Sequence, residues 1–229
     1  MKIFLCEGKN FLERNLPIVP LNGKRPFVEK WNEFNFNNNE SLRKFPHCNI
    51  GLKTGKHSGI IALDIDTLDP TLQKKINDLL PPLYAGRLGN PKKLPLRFFQ
   101  YNNEQSRKYH ALGVEILSTG NQCVMPPSMH PETKKPYTYI GHNLLDIDID
   151  DLPLLPDGFI SEIEAMNNAL RESKKIDGVI ADITPSDGTR CNHGSHNKLS
   201  QMLVAMILEG NTPQDIVERL VEYDEQINP

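Results

Sequence analysis

The stretch Gly59-Ile-Ile-Ala-Leu-Asp-Ile-Asp66 runs an apolar segment into two carboxylates one residue apart. An apolar run of this length, bounded by turn residues, reads as a buried strand. Side chains alternate along a strand, so Asp64 and Asp66 share one face and Ile65 takes the other. Two like charges at the end of a strand repel, and something must offset them. Paired carboxylate oxygens suit Mg2+ or Mn2+. Glu115, within Gly113-Val-Glu-Ile-Leu117, interrupts a second apolar strand in the same way and is the candidate third ligand. Carboxylates that hold cations against attacking and leaving oxygens are what metal-assisted phosphoryl transfer requires. The residues also fit a plainer reading, in which Asp64 and Asp66 start a helix and Glu115 sits on an edge strand.

Basic residues lie between the two acidic strands, in Arg87-Leu-Gly-Asn-Pro-Lys-Lys93 and at Arg97. They can clamp phosphate, or they can be the charges of an ordinary solvated turn. Lys24 and Arg25, in a turn closed by Pro26, pose the same choice. Further on, Val124-Met-Pro-Pro-Ser-Met-His-Pro131 predicts a rigid extended segment. Ser128 and His130 would follow on one side of it, able to face a triphosphate or a sugar. Cys191, His193 and His196 are zinc ligands by type, but their spacing is irregular and no second cysteine is near. Lys53-Thr-Gly-Lys56 lacks the frame of a P-loop, and neither GxGxxG nor GxSxG occurs.

Around these motifs the spacing predicts a short helix over 8–15, an extended segment over 17–21, strands over 49–52 and 59–66, and a helix over 69–80. Short strands follow over 84–88, 96–101, 113–117, 122–125 and 137–140. Residues 35–39 read as a polar loop. After residue 150 the pattern turns helical, with helices over 158–173 and 197–208, a polar connector over 174–193, and another helix starting at Thr212-Pro213. The expectation is an α+β catalytic domain over 1–160, a helix and connector over 161–193, and a small helical domain over 194–229. The absence of a closing element after Asn228-Pro229 suggests a fragment of a longer protein.

A net charge of −3 argues against a uniformly basic nucleic-acid coat but leaves room for a local basic groove. No run of about 20 apolar residues exists, so no membrane span is expected. The four scattered cysteines point to a reducing cytoplasm rather than a disulfide framework.

Taken together the motifs resemble the primase–polymerase branch of the archaeo-eukaryotic primase superfamily. The resemblance rests on their order over about residues 15–140: Pro20-Leu-Asn-Gly-Lys-Arg-Pro26 with Trp31, Asn49-Ile-Gly-Leu-Lys-Thr-Gly55, Ser58 to Asp66, Arg87-Leu-Gly-Asn-Pro-Lys92, Val114-Glu-Ile-Leu117, Pro126-Pro-Ser-Met-His-Pro131, and Pro136-Tyr137. It implies a primase-like fold of mixed sheets with an RRM-like unit, and template-directed nucleotidyl transfer with Asp64, Asp66 and Glu115 as metal ligands. It also implies Mg2+ or Mn2+, a single-stranded DNA template and NTP or dNTP as partners. Many members carry a histidine between the acids that contacts the nucleotide. Residues 87–99 contain none here, so Arg87, Lys92 and Arg97 are expected to take over the triphosphate contacts, with Ser128 and His130 lining the same pocket.

The C-terminal pattern, Gly188-Thr-Arg190 with Asn197-Lys-Leu199 and Gly210, resembles the small helical domain that leads into a helicase in phage, plasmid or mobile-element replication proteins. Two other readings use the same residues: a metal-dependent nuclease with water as nucleophile, and a degenerate module that binds single-stranded DNA or docks a helicase.

Overall fold

The structure, a computed structural model, describes residues 2–183 together with 206, 211–212, 214–216 and 218–219. The chain divides into two compact units, Met1–Phe159 and Ile160–Pro229. Cys191, His193 and His196, and most of the helix expected over 197–208, lie outside the described residues.

The first unit is α+β, as the sequence implies. Helix α1 (Ile3–Glu13) leads into the hairpin of β1 (Ile18–Asn22) and β2 (Arg25–Pro26), and α2 (Asn39–Lys44) precedes β3 (Asn49–Lys53). Then come β4 (Ile60–Ile65), α3 (Pro70–Asp78), β5 (Ala85–Leu88), β6 (Leu96–Gln100), β7 (Arg107–Tyr109), β8 (Val114–Leu117), β9 (Gln122–Met125) and β10 (Thr138–Gly141). The strands make a four-stranded sheet, β2-β1-β3-β9, and a six-stranded sheet, β10-β5-β6-β4-β8-β7. Each strand pairing is antiparallel.

β4 is apolar from Ile60 to Leu63 because both of its faces are covered there. Ile60 and Ala62 join the core that Ile18, Ile50, Leu52 and Cys123 of the four-stranded sheet also enter. Ile61, Leu63 and Ile65 are buried on the opposite face. There α3 is tied down by Arg97, whose guanidinium donates to the Pro81 carbonyl at 2.7 Å and to Asn77 Oδ1 at 2.9 Å. The helix itself is capped by Asp69, whose side chain accepts from the Thr71 and Leu72 N–H groups. Asp66 is therefore not a helix start.

Several elements escape the sequence reading, among them β2, which was read as part of a turn, and α2 and β7. The loop expected over 35–39 passes directly into α2, which Asn38 caps by accepting from the Ser41 N–H at 2.7 Å. β7 is three residues long with an exposed, charged pattern, and it forms the edge of the six-stranded sheet. Glu115 thus lies on an interior strand, not on an edge.

In the second unit α4 (Phe159–Ile183) runs beyond the helix expected over 158–173. The start of the connector expected over 174–193 is thus helical, and the single Gly178 is tolerated. Thr212 and Asp215 exchange the reciprocal bonds of a helix start, as Thr212-Pro213 implies.

Candidate active site

Ile60, Ala62, Asp64 and Asp66 share the face of β4 that looks toward the four-stranded sheet. The first two are sealed in the core, and the acids stand where the buried stripe ends. The pairing with β8 carries on past β4, since the Asp66 N–H donates to the Gly113 carbonyl at 2.7 Å. Register then assembles a row across the sheet. Glu115 lies opposite Asp64, and Lys108 of β7 lies opposite Glu115. On the other side of β4, Leu96 is level with Asp64, Arg87 pairs with Leu96, and Tyr139 pairs with Arg87. Paired residues in an antiparallel sheet point the same way. One row therefore carries two carboxylates and two cations, with Asp66 one step further along the same face.

A cavity of about 110 Å3 opens on this row, walled by Asp64, Asp66, Arg87, Lys93, His130 and Tyr137 among others. Burial raises the Asp64 carboxyl above the usual aspartate range; Asp66 and Glu115 add to the rise, while Arg87 and Lys93 oppose it. Asp66 accepts from Lys93 Nζ at 2.7 Å, and Glu115 pairs with Lys108 at 3.4 Å. That hydrogen bond is the main cause that holds the Lys93 ammonium above its ordinary value.

The basic wall has a distinct construction. The Arg87 guanidinium lies over the Tyr137 ring at 4.6 Å, and its Nε is buried with no hydrogen-bond partner. A buried N–H left open beside a cavity is a place for an acceptor that arrives with a ligand. The His130 ring lies tilted against Tyr137, ring centroids 5.2 Å apart. Its Nδ1 accepts from the Glu132 and Thr133 N–H groups at 3.2 and 3.3 Å. In the neutral ring the proton then sits on Nε2, which becomes a donor. Burial, and then the Lys24 charge, lower the His130 value and favour that neutral form; Glu132 opposes, and Arg87 and Lys93 act with Lys24. Gly89 has to be glycine here, because a Cβ would come within 2.1 Å of the Tyr137 ring.

Asn49 brings the two halves of the cleft together. It is 8% exposed. Its Nδ2 donates to the carbonyls of Gly23 and Met129 at 2.9 Å each, and its Oδ1 accepts from the Met129 N–H at 3.0 Å. This sets Lys24, at the tip of the β1–β2 hairpin, beside His130, and both line the cavity.

The sequence candidates are thus sorted. Asp64, Asp66, Arg87, His130 and Lys24 meet at the cavity, and Glu115 adjoins Asp64. Arg97 is one residue from Leu96 and so faces α3, away from the acids. Ser128 is fully buried, and its hydroxyl accepts from the Ile50 N–H at 2.8 Å. The expected extended segment is instead a turn: the Ser128 N–H donates to the Met125 carbonyl at 3.0 Å, and the Pro126–Pro127 bond is cis. Ser128 and His130 both follow that turn, on a stretch paired with 135–137: the His130 N–H donates to the Lys135 carbonyl and the Tyr137 N–H to the Ser128 carbonyl, each at 2.8 Å. Lys92 and Arg25 are exposed and do not line the cavity. Lys93 was read only as part of the basic stretch ending at it and was not singled out; Tyr137 and Asn49 were given no role in the site. Lys93 had a signal in its adjacency to Lys92, and Asn49 had none, because its role depends on two loops distant in sequence.

A larger hollow of about 540 Å3 is walled by Arg14, Leu144 and the run Asp148 to Asp151. Arg14 is already committed there to the Ile147 carbonyl and to Asp148. None of the acids or cations of the row lines it.

Among the described residues no three His, Cys, Asp or Glu side chains are gathered as a formed metal centre. The donor set nevertheless fits a hard divalent cation. It is all oxygen, with carboxylates in mutual repulsion. Asp66 and Glu115 would have to exchange their lysine partners for the metal.

Among the described residues no helix is long and apolar enough to cross a membrane. No curated protein matches the chain. Residues 9–157 match the family described as bifunctional DNA primase/polymerase, N-terminal. That span holds the row of acids, the basic wall and the cavity between them, and the chain belongs to the Prim-Pol family.

Proposed function

We infer that this chain carries out template-directed nucleotidyl transfer, adding NTP or dNTP units to a 3′-hydroxyl on a single-stranded DNA template. Membership of the family supports the nucleotidyltransferase class. The observation that carries the finer reading is the single row in which Asp64 and Glu115 face each other with Arg87 beside them. A phosphoanhydride substrate needs both halves of that row.

Asp64, Asp66 and Glu115 are the residues that would hold Mg2+ or Mn2+. A bound pair of such ions supplies Lewis-acid stabilisation to the attacking 3′-oxygen and the leaving pyrophosphate. The chain's own residues do the rest. Arg87 offers its unsatisfied Nε–H, and Lys93 and Lys24 offer ammonium groups, to the triphosphate. Neutral His130 donates from Nε2 to a phosphate oxygen. Tyr137 holds Arg87 and His130 in place by contact with both. Because Arg87 and His130 are held before the substrate arrives, they need little reorganisation as charge builds on the pyrophosphate. With Asp66 given over to a cation, Lys93 would be free to reach the phosphates. A helicase segment in the same full-length chain, within a phage, plasmid or mobile-element replication protein, completes the proposal.

The test is a template-dependent incorporation assay with the 229-residue chain, with and without primer, in Mg2+ or Mn2+. Wild-type product that disappears in Asp64→Ala/Asp66→Ala supports transfer, and primer-free product makes the protein a primase. Cleavage of the template without incorporation would favour a nuclease instead.

A further inference from the structure

Four aromatic rings form a chain of contacts, with buried Phe36 and half-buried Phe45 linking two exposed ends. Phe34 lies 6.0 Å from Phe36, Phe36 lies 6.1 Å from Phe45, and Phe45 lies 5.6 Å from Phe27. The two end rings are left in solvent, Phe27 at 58% exposure and Phe34 at 50%. Exposed aromatics so linked are a patch rather than scattered surface residues, and such patches mark recognition sites.

The patch is held rigid. Lys53 is 6% exposed, and burial lowers its ammonium value. Its Nζ donates to the Phe34 carbonyl at 2.6 Å and the Asn32 carbonyl at 3.4 Å, and it lies 5.8 Å from the centre of the Trp31 ring and 5.9 Å from that of Phe36. Asn37 pins the same loop, accepting from the Ile18 N–H at 2.9 Å and donating to the Leu16 carbonyl at 2.8 Å. A buried charge committed to backbone carbonyls fixes the segment that carries Phe34 before any ligand binds.

The surroundings of the patch are basic. From Lys24 to Lys56 the sequence has seven Lys or Arg against three Glu, in a chain of net charge −3. Lys44 sits over the Phe45 ring at 5.6 Å. The patch is also continuous with the cleft: Lys24 lines the cavity, Arg25 follows, and the Phe27 N–H still pairs with the Pro20 carbonyl at 2.9 Å. Rings flanked by cations suit a polyanion whose bases are unstacked, because every base offers a π face and the backbone meets the charges. A duplex has no base faces to offer.

We propose that Phe27 and Phe34, the latter held with Trp31 by Lys53, form a stacking platform for single-stranded nucleic acid, along which the template strand reaches the cleft. The template part of this statement rests on the nucleotidyl-transfer reading; the binding part does not.

Trp31 is the sole tryptophan of the chain, so its emission reports on this surface directly. The full chain is titrated with labelled oligothymidylate, without metal or nucleotide, following anisotropy and Trp31 emission together. Binding should quench Trp31, and Phe27→Ala and Phe34→Ala should each weaken affinity about tenfold. Both positions are exposed, and unchanged circular dichroism would show that the variants fold. Wild-type affinity in both variants, binding without any change at Trp31, or no binding at all would overturn the platform. So would Trp31 emission that changes with protein concentration alone, which would mean that a second copy covers the surface. Since no catalysis enters the assay, incorporation without stacking sinks the platform alone, and stacking without incorporation sinks the reaction alone.

Discussion

Arg87 and Arg97 show how a single step along a strand separates two fates. Register sets Arg87 on the face of the acids and Arg97 on the face of α3. Arg87→Ala should weaken nucleotide binding by about tenfold or more, since a charge-assisted contact is worth roughly 1.5–3 kcal/mol. Arg97→Ala should lower Tm and leave nucleotide affinity at the wild-type value; titration with a labelled nucleotide beside a thermal melt separates the two. Asp64 gives a second test. Burial and the neighbouring acids raise its value, so the folded chain binds that proton more readily than the unfolded one. The stability the proton confers is complete below the ordinary aspartate range, about pH 4, and is lost as pH rises through the raised folded value. Asp64→Asn should therefore raise Tm by about 2 °C or more near neutral pH without metal, with the gain shrinking toward acid. A melt series over pH checks this, and an equal shift at every pH would contradict it.

At the scale of elements, the strands could be read from the sequence because their patterns are local. The run Ile60 to Asp66 shows its period, and the caps at Asp69 and Thr212 show their helix starts. β7 could not be read. It is short, polar and held by its neighbour, so nothing in Arg107-Lys-Tyr109 distinguishes it from a loop until β8 is beside it. The same limit applied to the cleft. The alternation of β4 put Asp64 with Asp66, but facing Glu115 depends on a register between strands some 50 residues apart. Ser128 and His130 were read as neighbours on one side; both follow the turn after Met125, and Ser128 is committed to Ile50 while His130 lines the cavity, a difference set by partners distant in sequence. Asn49 is the joint between hairpin and turn. Asn49→Ala removes three hydrogen bonds from a buried site, which should cost about 2–4 kcal/mol. It should also raise the KM for nucleotide through the misplacement of Lys24 and His130. A chemical melt and a KM determination on the same sample test both; a stability loss with KM unchanged would remove Asn49 from the positioning role.

For the whole molecule, two sheets meet over one core, and the six-stranded sheet extends its inner face past that core as a charged row. Family order could place the acids along the chain, but the partners that hold them in the metal-free state, Lys93 and Lys108, became visible only in three dimensions. The central claim is that one face of one sheet carries both the cation site and the phosphate wall. The most direct measurement is Mn2+ binding followed by electron paramagnetic resonance, with and without a non-hydrolysable nucleotide, in wild type, Asp64→Asn and Arg87→Ala. The account predicts that wild type binds Mn2+ and binds it more tightly with nucleotide, that Asp64→Asn loses about tenfold or more in both states, and that Arg87→Ala keeps the metal but loses the tightening. Mn2+ affinity in Asp64→Asn equal to that of wild type would contradict it.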